Sequence, residues 1–289
     1  MGQEFLFLKT VFQDIKIQHS VFALPFALMS AFMAARGLPD WGTLALIVIA
    51  MVFARSSAMV FNRIVDREYD RQNPRTQKRP LATGGASVIS YSIFVTVSSA
   101  LFVFTCYWIN ELAFYCSPVV LAVVFLYSFT KRFTSFSHFF LGLALGLSPV
   151  GGWIAVTGTI ELPPILLGIA VIFWLVGLDV IYSCQDYQHD VSSGLHSIPQ
   201  RFGIAGALRI SKISHGIMVF FLLSLPVYDP ELTGYVYLAG VGLVGILLFY
   251  EHSIVREDDL SRVNVAFFNV NGLISTGLMV FTLIDCWVG

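Results

Sequence analysis

The sequence predicts an all-α integral membrane protein, with nine transmembrane helices around a central cavity, and three observations predict it. Of the 289 residues, 56% are hydrophobic and only 12% charged, about half the charged share of an ordinary soluble domain. Apolar stretches able to cross a hydrocarbon layer of about 30 Å recur along the whole chain, in keeping with a mean hydropathy of +0.77. The cations, finally, collect in alternate connections between these stretches. Because 17 Lys and Arg stand against 18 Asp and Glu, no basic excess exists to hold a polyanion, which excludes nucleic acid as a partner. The composition equally excludes a disordered chain, and one transmembrane domain over residues 1–289 is expected.

Taken in order, the spans are expected at 21–35, 43–61, 88–109, 112–129, 139–156, 164–184, 210–225, 233–250 and 265–287. The second and sixth end where polar segments begin, and the fourth ends at the basic pair Lys131-Arg132. Fourteen of the cations lie in 9–16, 67–79, 131–132, 201–212 and 256–262, whereas the opposite set of connections holds only Arg36. Loops that keep positive charge stay cytoplasmic, so the N-terminus is expected inside and the C-terminus outside. The first twenty residues are amphipathic, carry Glu4 and Asp14, and lack a secretory cleavage pattern, so the first span is expected to be retained as a signal anchor. Gly142-x-x-x-Gly146 and the cluster Gly240, Gly242, Gly245 read as close helix packing. Cys106, Cys116, Cys184 and Cys286 are scattered through apolar runs without a C-x-x-C pair and read as small buried hydrophobes.

Chemistry concentrates in two polar segments. The first carries Asn62, Asp66 and Asp70, and the second carries Tyr182, Asp186 and Asp190, each at four-residue spacing. On an α-helix that spacing lines one face. The two sets are displaced by 120 residues, which suggests two related halves whose carboxylates meet across a shared cavity. Asp179 lies one turn deeper in the sixth span. Acids in membrane segments are costly, roughly 2.5–3.5 kcal/mol each at a helix centre, and mark polar pathways. Four carboxylates drawn together repel unless a cation neutralises them. Acidic pairs without His or Cys partners fit Mg²⁺ and a diphosphate better than zinc. The connections that follow each motif add Arg71, Arg75, Lys78, Arg79 and His196, Arg201, and arginine suits bidentate phosphate contact. His138, His215 and His252 have no spacing that argues for a metal.

At these residues the chain resembles the UbiA superfamily of intramembrane aromatic prenyltransferases. Asn62, Asp66 and Asp70 match that family's N-x-x-x-D-x-x-x-D, while Asp186 and Asp190, preceded by Asp179 and Tyr182, match its second signature. The stretches Arg75-Thr-Gln-Lys-Arg-Pro-Leu and Gly194-Leu-His-Ser-Ile-Pro-Gln-Arg-Phe-Gly are most similar to its 4-hydroxybenzoate polyprenyltransferase and futalosine-route menaquinone branch. The resemblance implies a UbiA-like fold and two Mg²⁺ ions held by Asp66, Asp70, Asp186 and Asp190. It also implies a polyprenyl diphosphate donor with its tail in an apolar tunnel, and an aromatic acid acceptor. Contacts to the diphosphate are expected from Asn62, Arg63, Lys78, Arg79, Lys131, Arg132 and Arg201. Asp179 and Tyr182 are expected to orient the acceptor or take a proton from it, or else to hydrogen-bond each other and only shape the cavity. His19 and His196 are candidates for touching the acceptor, with His196 and Arg201 in a loop over the second motif. Arg63 departs from the family, many of whose members carry a second acid there, and would lend positive charge instead.

The expected setting is the bacterial inner membrane, with the site open to the cytoplasm and no obligate protein partner. Alternatives are a sister enzyme with a haem or chlorophyllide acceptor and a cation-coupled transporter, in which midplane acids are also expected. The signature of the CDP-alcohol phosphotransferases does not precede Asp66 or Asp186.

Overall fold

A computed structural model describes residues 10–15 and 22–288, and within these the chain is helical without a strand. The long helices are α1 (Leu24–Ala35), α2 (Trp41–Gln72), α3 (Val88–Ile109), α4 (Glu111–Thr130), α5 (Ser137–Thr157), α6 (Leu162–Ser183), α7 (Ile198–Tyr228), α8 (Tyr235–Ile254) and α9 (Asn271–Val288). A π-helical segment, Val265–Val270, leads into α9. Eight of these are long and apolar enough to cross a membrane, so the protein is a multi-pass membrane protein. The first expected span is represented by the twelve residues of α1, about 18 Å at 1.5 Å per residue.

Several boundaries differ from expectation for local reasons. Helix α2 begins at the Asp40 cap, whose carboxylate accepts from Thr43 N at 3.0 Å, and continues unbroken through the first acidic motif to Gln72. Its 32 residues reach about 48 Å, so its last three turns outrun the apolar layer and carry the polar face. Helix α7 starts twelve residues before the expected 210 because Ser197 caps it, accepting from Gln200 N at 3.2 Å, and Pro199 occupies its first turn. The chain bends inside it at Gly203, whose φ of 70° is open to glycine. Arg201 therefore sits on a helix, not in the expected loop, while His196 does lie in the connection.

Helix α6 is central: 61% of its apolar window is buried, against 17% for α4 at the rim. Trp174 and Leu178 of α6 join Phe26 and Met29 of α1, Met218 and Leu222 of α7, Tyr237 of α8 and Ile274 of α9 in the largest core. Gly142 and Gly146 let α5 press onto α6, since a Cβ on Gly142 would stand 2.8 Å from the Ile172 carbonyl oxygen and one on Gly146 2.7 Å from that of Gly168. Of the other cluster only Gly240 packs in this way, against Phe281, while Gly242 and Gly245 face open space. Cys106 and Cys184 are buried as expected, but Cys116 and Cys286 are half-buried at the periphery; all four are free thiols.

Two groups of connections separate at opposite ends. Arg36 pairs with Asp229 and Glu231 at 3.3 and 3.1 Å, tying the α1–α2 turn to the α7–α8 turn. At the other end Arg75, after α2, reaches Asp186, and His196 N donates to the Lys131 carbonyl at 2.9 Å. Both acidic motifs thus share the cation-rich end.

Candidate active site

A cavity of about 310 Å³ opens at that end between α2, α4, α5 and α6. Its mouth is lined by Asn62, Arg63, Asp66, Asp70, Arg75, Arg79, Lys131, Arg132, Tyr182, Asp186 and Asp190, and its deeper wall by Met59, Leu141, Leu145, Leu175, Phe22, Phe267 and Phe268. The design is amphipathic: a charged mouth above an apolar interior.

On α2 the four-residue spacing works as expected. Asn62 Nδ2 donates to Asp66 at 2.8 Å one turn on, while its Oδ1 accepts from Arg63 at 3.1 Å. Arg63 is buried, lines the cavity and lies 3.5 Å from the Asp14 carboxylate. Asp70 receives one nitrogen of Arg79 on both oxygens at 2.7 and 2.8 Å, and Arg132 stands 3.7 Å from Asp66.

The second motif is built differently. Helix α6 stops at Ser183, a 3₁₀ turn spans Cys184–Asp186, and a seven-residue helix, Tyr187–Ser193, closes at Gly194. The single α-helical face expected for Tyr182, Asp186 and Asp190 is therefore broken, because the 3₁₀ turn winds more tightly. All three nonetheless line the cavity. Arg75 crosses from the α2 side and grips Asp186 with Nε at 2.9 Å and Nη2 at 2.6 Å, its Nη1 donating to the Tyr182 hydroxyl at 3.3 Å. Burial opposes the charge on Arg75, but its hydrogen bonds to Asp186 and the charge of that carboxylate outweigh it and raise the guanidinium above its ordinary pKa. Asn73 adds a contact to Asp186 at 3.4 Å.

Asp190 is the exception among the acids. It is 2% exposed, and its Oδ2 has no hydrogen-bond partner among the described residues. A buried carboxylate oxygen without a donor is costly and marks a place for a cation. Around it the cavity counts six cations, including Arg55, against five carboxylates, so it is close to neutral and would need added positive charge to hold a polyanion. The donor set is all carboxylate and amide oxygen, the chemistry of a hard divalent ion. No three acids, histidines or cysteines among the described residues are close enough to form a ready-made metal site, because Arg75, Arg79 and Arg132 lie between them.

Asp179 also lines the cavity, but its partner is not Tyr182. It pairs with His138 of α5 at 2.7 Å, which corrects the expected alternative of an Asp179–Tyr182 bond. Lys78, His196 and Arg201 are exposed and stand outside the cavity lining, and Arg201 packs over Phe202 and Phe136. His19 lies outside the described residues. In the sequence Arg75 is one of several loop cations, and nothing in local spacing distinguishes His138 or Tyr127; for Arg75 the signal is its place five residues after Asp70, within reach of a second motif expected to face it.

Residues 23–273 match the profile of the UbiA prenyltransferase family. A 4-hydroxybenzoate octaprenyltransferase of Vibrio parahaemolyticus is 31% identical over 257 residues, covering 86% of this chain and 87% of that one. The apo structure of a UbiA homologue from Aeropyrum pernix superposes with a TM-score of 0.83 at 31% identity, covering 93% of this chain and 98% of that one. A UbiA homologue from Archaeoglobus fulgidus, bound to DMAPP and Mg²⁺, shares the fold at a TM-score of 0.74 and 20% identity, covering 97% of this chain and 100% of that one.

Proposed function

The chain belongs to the UbiA prenyltransferase family, and on that premise we propose that it transfers a polyprenyl group from a polyprenyl diphosphate to the aromatic ring of a quinone precursor. The acceptor is 4-hydroxybenzoate or a hydroxynaphthoate of a menaquinone route. Residues 1–289 act as one domain in a bacterial inner membrane, with the cavity mouth and the N-terminus on the cytoplasmic side, as the partition of cations suggests. The single observation that carries the reading is the convergence of both acidic motifs and their arginines on one cavity whose depth is apolar.

In this reading Asp66, Asp70, Asp186 and Asp190 hold two Mg²⁺ ions, which when bound supply the positive charge that stabilises a departing diphosphate. The unpartnered Oδ2 of Asp190 supports that assignment. Arg79, Lys131, Arg132 and Arg63 bind the diphosphate oxygens, and Asn62 orients Asp66. The isoprenoid tail lies against Met59, Leu141, Leu145 and Leu175. When the allylic C–O bond breaks, its electron pair leaves with the diphosphate, whose added charge the fixed cations stabilise more than the ground state. The ring of the acceptor then supplies the pair that forms the new C–C bond. Loss of the ring proton, for which Asp179 is the nearest deep carboxylate, restores aromaticity. Tyr182, held by Arg75 and set against Phe267 at a ring separation of 4.2 Å, forms an aromatic wall for that acceptor.

The test is prenyl transfer in purified membranes, offering a polyprenyl diphosphate with labelled 4-hydroxybenzoate or with a hydroxynaphthoate. Product with one ring names the acceptor. No product with either, from protein that remains folded, overturns the quinone-precursor reading.

A further inference from the structure

We propose that His138 is a positioning residue for acceptor chemistry. It holds Asp179 as a carboxylate with one oxygen committed and the other free for the acceptor, and it joins that carboxylate to the start of α7, just beyond the second acidic motif. The inference rests on the proposed role of Asp179.

The geometry fixes the proton on the imidazole. His138 is fully buried at 0% exposure. Its Nε2 lies 3.4 Å from the backbone nitrogen of Ile198, a group that can only donate. Nε2 is therefore the accepting nitrogen, and the ring proton resides on Nδ1, which donates to Asp179 Oδ2 at 2.7 Å. A doubly protonated ring would point an N–H at the Ile198 N–H. The arrangement thus favours a ring that donates to Asp179 from Nδ1 and accepts at Nε2. Oδ1 of that aspartate has no hydrogen-bond partner among the described residues, and the side chain lines the cavity. One oxygen is orienting; the other is left to take the ring proton, while the electron pair of the ring C–H bond returns to the aromatic system.

Helix packing explains why a histidine one helix away reaches so deep. His138, Gly142 and Gly146 recur at four-residue spacing and share a face of α5. The two glycines bring that face onto the backbone of α6 at Ile172 and Gly168. In this antiparallel pair, continuing the stripe one turn back from Gly142 brings position 138 level with Val176, and its imidazole reaches Asp179 one turn further on. On its other side the imidazole meets Ile198, directly after Ser197, whose neighbour His196 is bonded through its amide to the Lys131 carbonyl. The ring thereby links the carboxylate to the start of α7, and the connection just before α7 is tied in turn to the end of α4 by the His196 amide.

The experiment compares His138→Leu, His138→Gln, Asp179→Asn and the double variant His138→Leu/Asp179→Asn. It uses the full-length protein in membranes, with geranyl diphosphate, Mg²⁺ and whichever of 4-hydroxybenzoate or hydroxynaphthoate gives product. His138→Leu should lower kcat by roughly tenfold to a hundredfold, the range typical of groups that orient a reactive side chain. The KM for geranyl diphosphate should stay within about twofold, which also certifies folded protein, since that contact is made at the cavity mouth. Glutamine, able to donate to Asp179 and accept from Ile198, should restore most of kcat. Because His138 acts through Asp179, the double variant should be no slower than Asp179→Asn alone. Multiplying losses in the double variant, or full activity in His138→Leu, would overturn the inference while leaving Asp179 in place. Full activity in Asp179→Asn would instead remove the role of Asp179 and this inference with it.

Discussion

The two acidic motifs share one spacing and differ in mechanics. Asn62, Asp66 and Asp70 ride on an uninterrupted 32-residue helix and are locked to neighbours within their own half, by Asn62 to Asp66 and by Arg79 to Asp70. Asp186 and Asp190 sit on a 3₁₀ turn and a seven-residue helix, where Arg75 reaches across from the first motif's side to hold Asp186 while Asp190 keeps an unpartnered oxygen among the described residues. Identical sequence periodicity has thus produced a continuous wall and a jointed one. For the proposed reaction, in which a charged diphosphate binds and product is then released, a segmented side offers a place for adjustment that the continuous helix does not.

The largest test of that pairing is metal removal. With EDTA, transfer should fall at least about a hundredfold, because the cavity's cations are already nearly balanced by its carboxylates and leave little positive charge for the diphosphate; activity that survives exhaustive chelation would show that the arginines alone suffice. Next in size is the crossing contact. Arg75→Ala removes two charge-assisted hydrogen bonds to Asp186 and should raise the KM for polyprenyl diphosphate about tenfold to a hundredfold, or about 1.4–2.7 kcal/mol, by freeing the second motif. An unchanged KM would mean that the jointed wall needs no anchor. Hydrogen exchange then reads the walls separately: without ligand, amides of 184–193 should exchange at least about tenfold faster than those of 62–70, and Mg²⁺ with geranyl diphosphate should close that gap. Equal exchange in both states would erase the distinction. Smallest of all, Lys78→Ala and Arg201→Ala should each alter kcat/KM by less than about threefold, since both cations are exposed and stand outside the cavity.

The same contrast shows what the sequence could reveal. Asn62, Asp66 and Asp70 were legible because a regular helix converts spacing into a face, and the structure keeps that helix regular. The succession of apolar spans was legible because apolar length is a physical requirement of the bilayer. The break at Cys184–Asp186 was not, since Ser183-Cys-Gln-Asp contains no Gly or Pro to signal it. The early start of α7 was written in Ser197 and Pro199 but hidden beneath an apolar threshold that a helix end outside the hydrocarbon need not meet. Choosing Arg75 over Lys78 required knowing which loop cation faces inward, and pairing His138 with Asp179 required the register of two antiparallel helices. Neither is encoded in local periodicity.

The most direct measurement of the central claim is Mg²⁺-dependent prenyl transfer to 4-hydroxybenzoate and to a hydroxynaphthoate by the intact protein and by Asp66→Asn and Asp186→Asn. One substitution falls on each wall. Loss of at least about a hundredfold in both variants, with folded protein, is the predicted result for one site built from two halves. Loss in only one of them would contradict a shared site and assign the chemistry to a single motif.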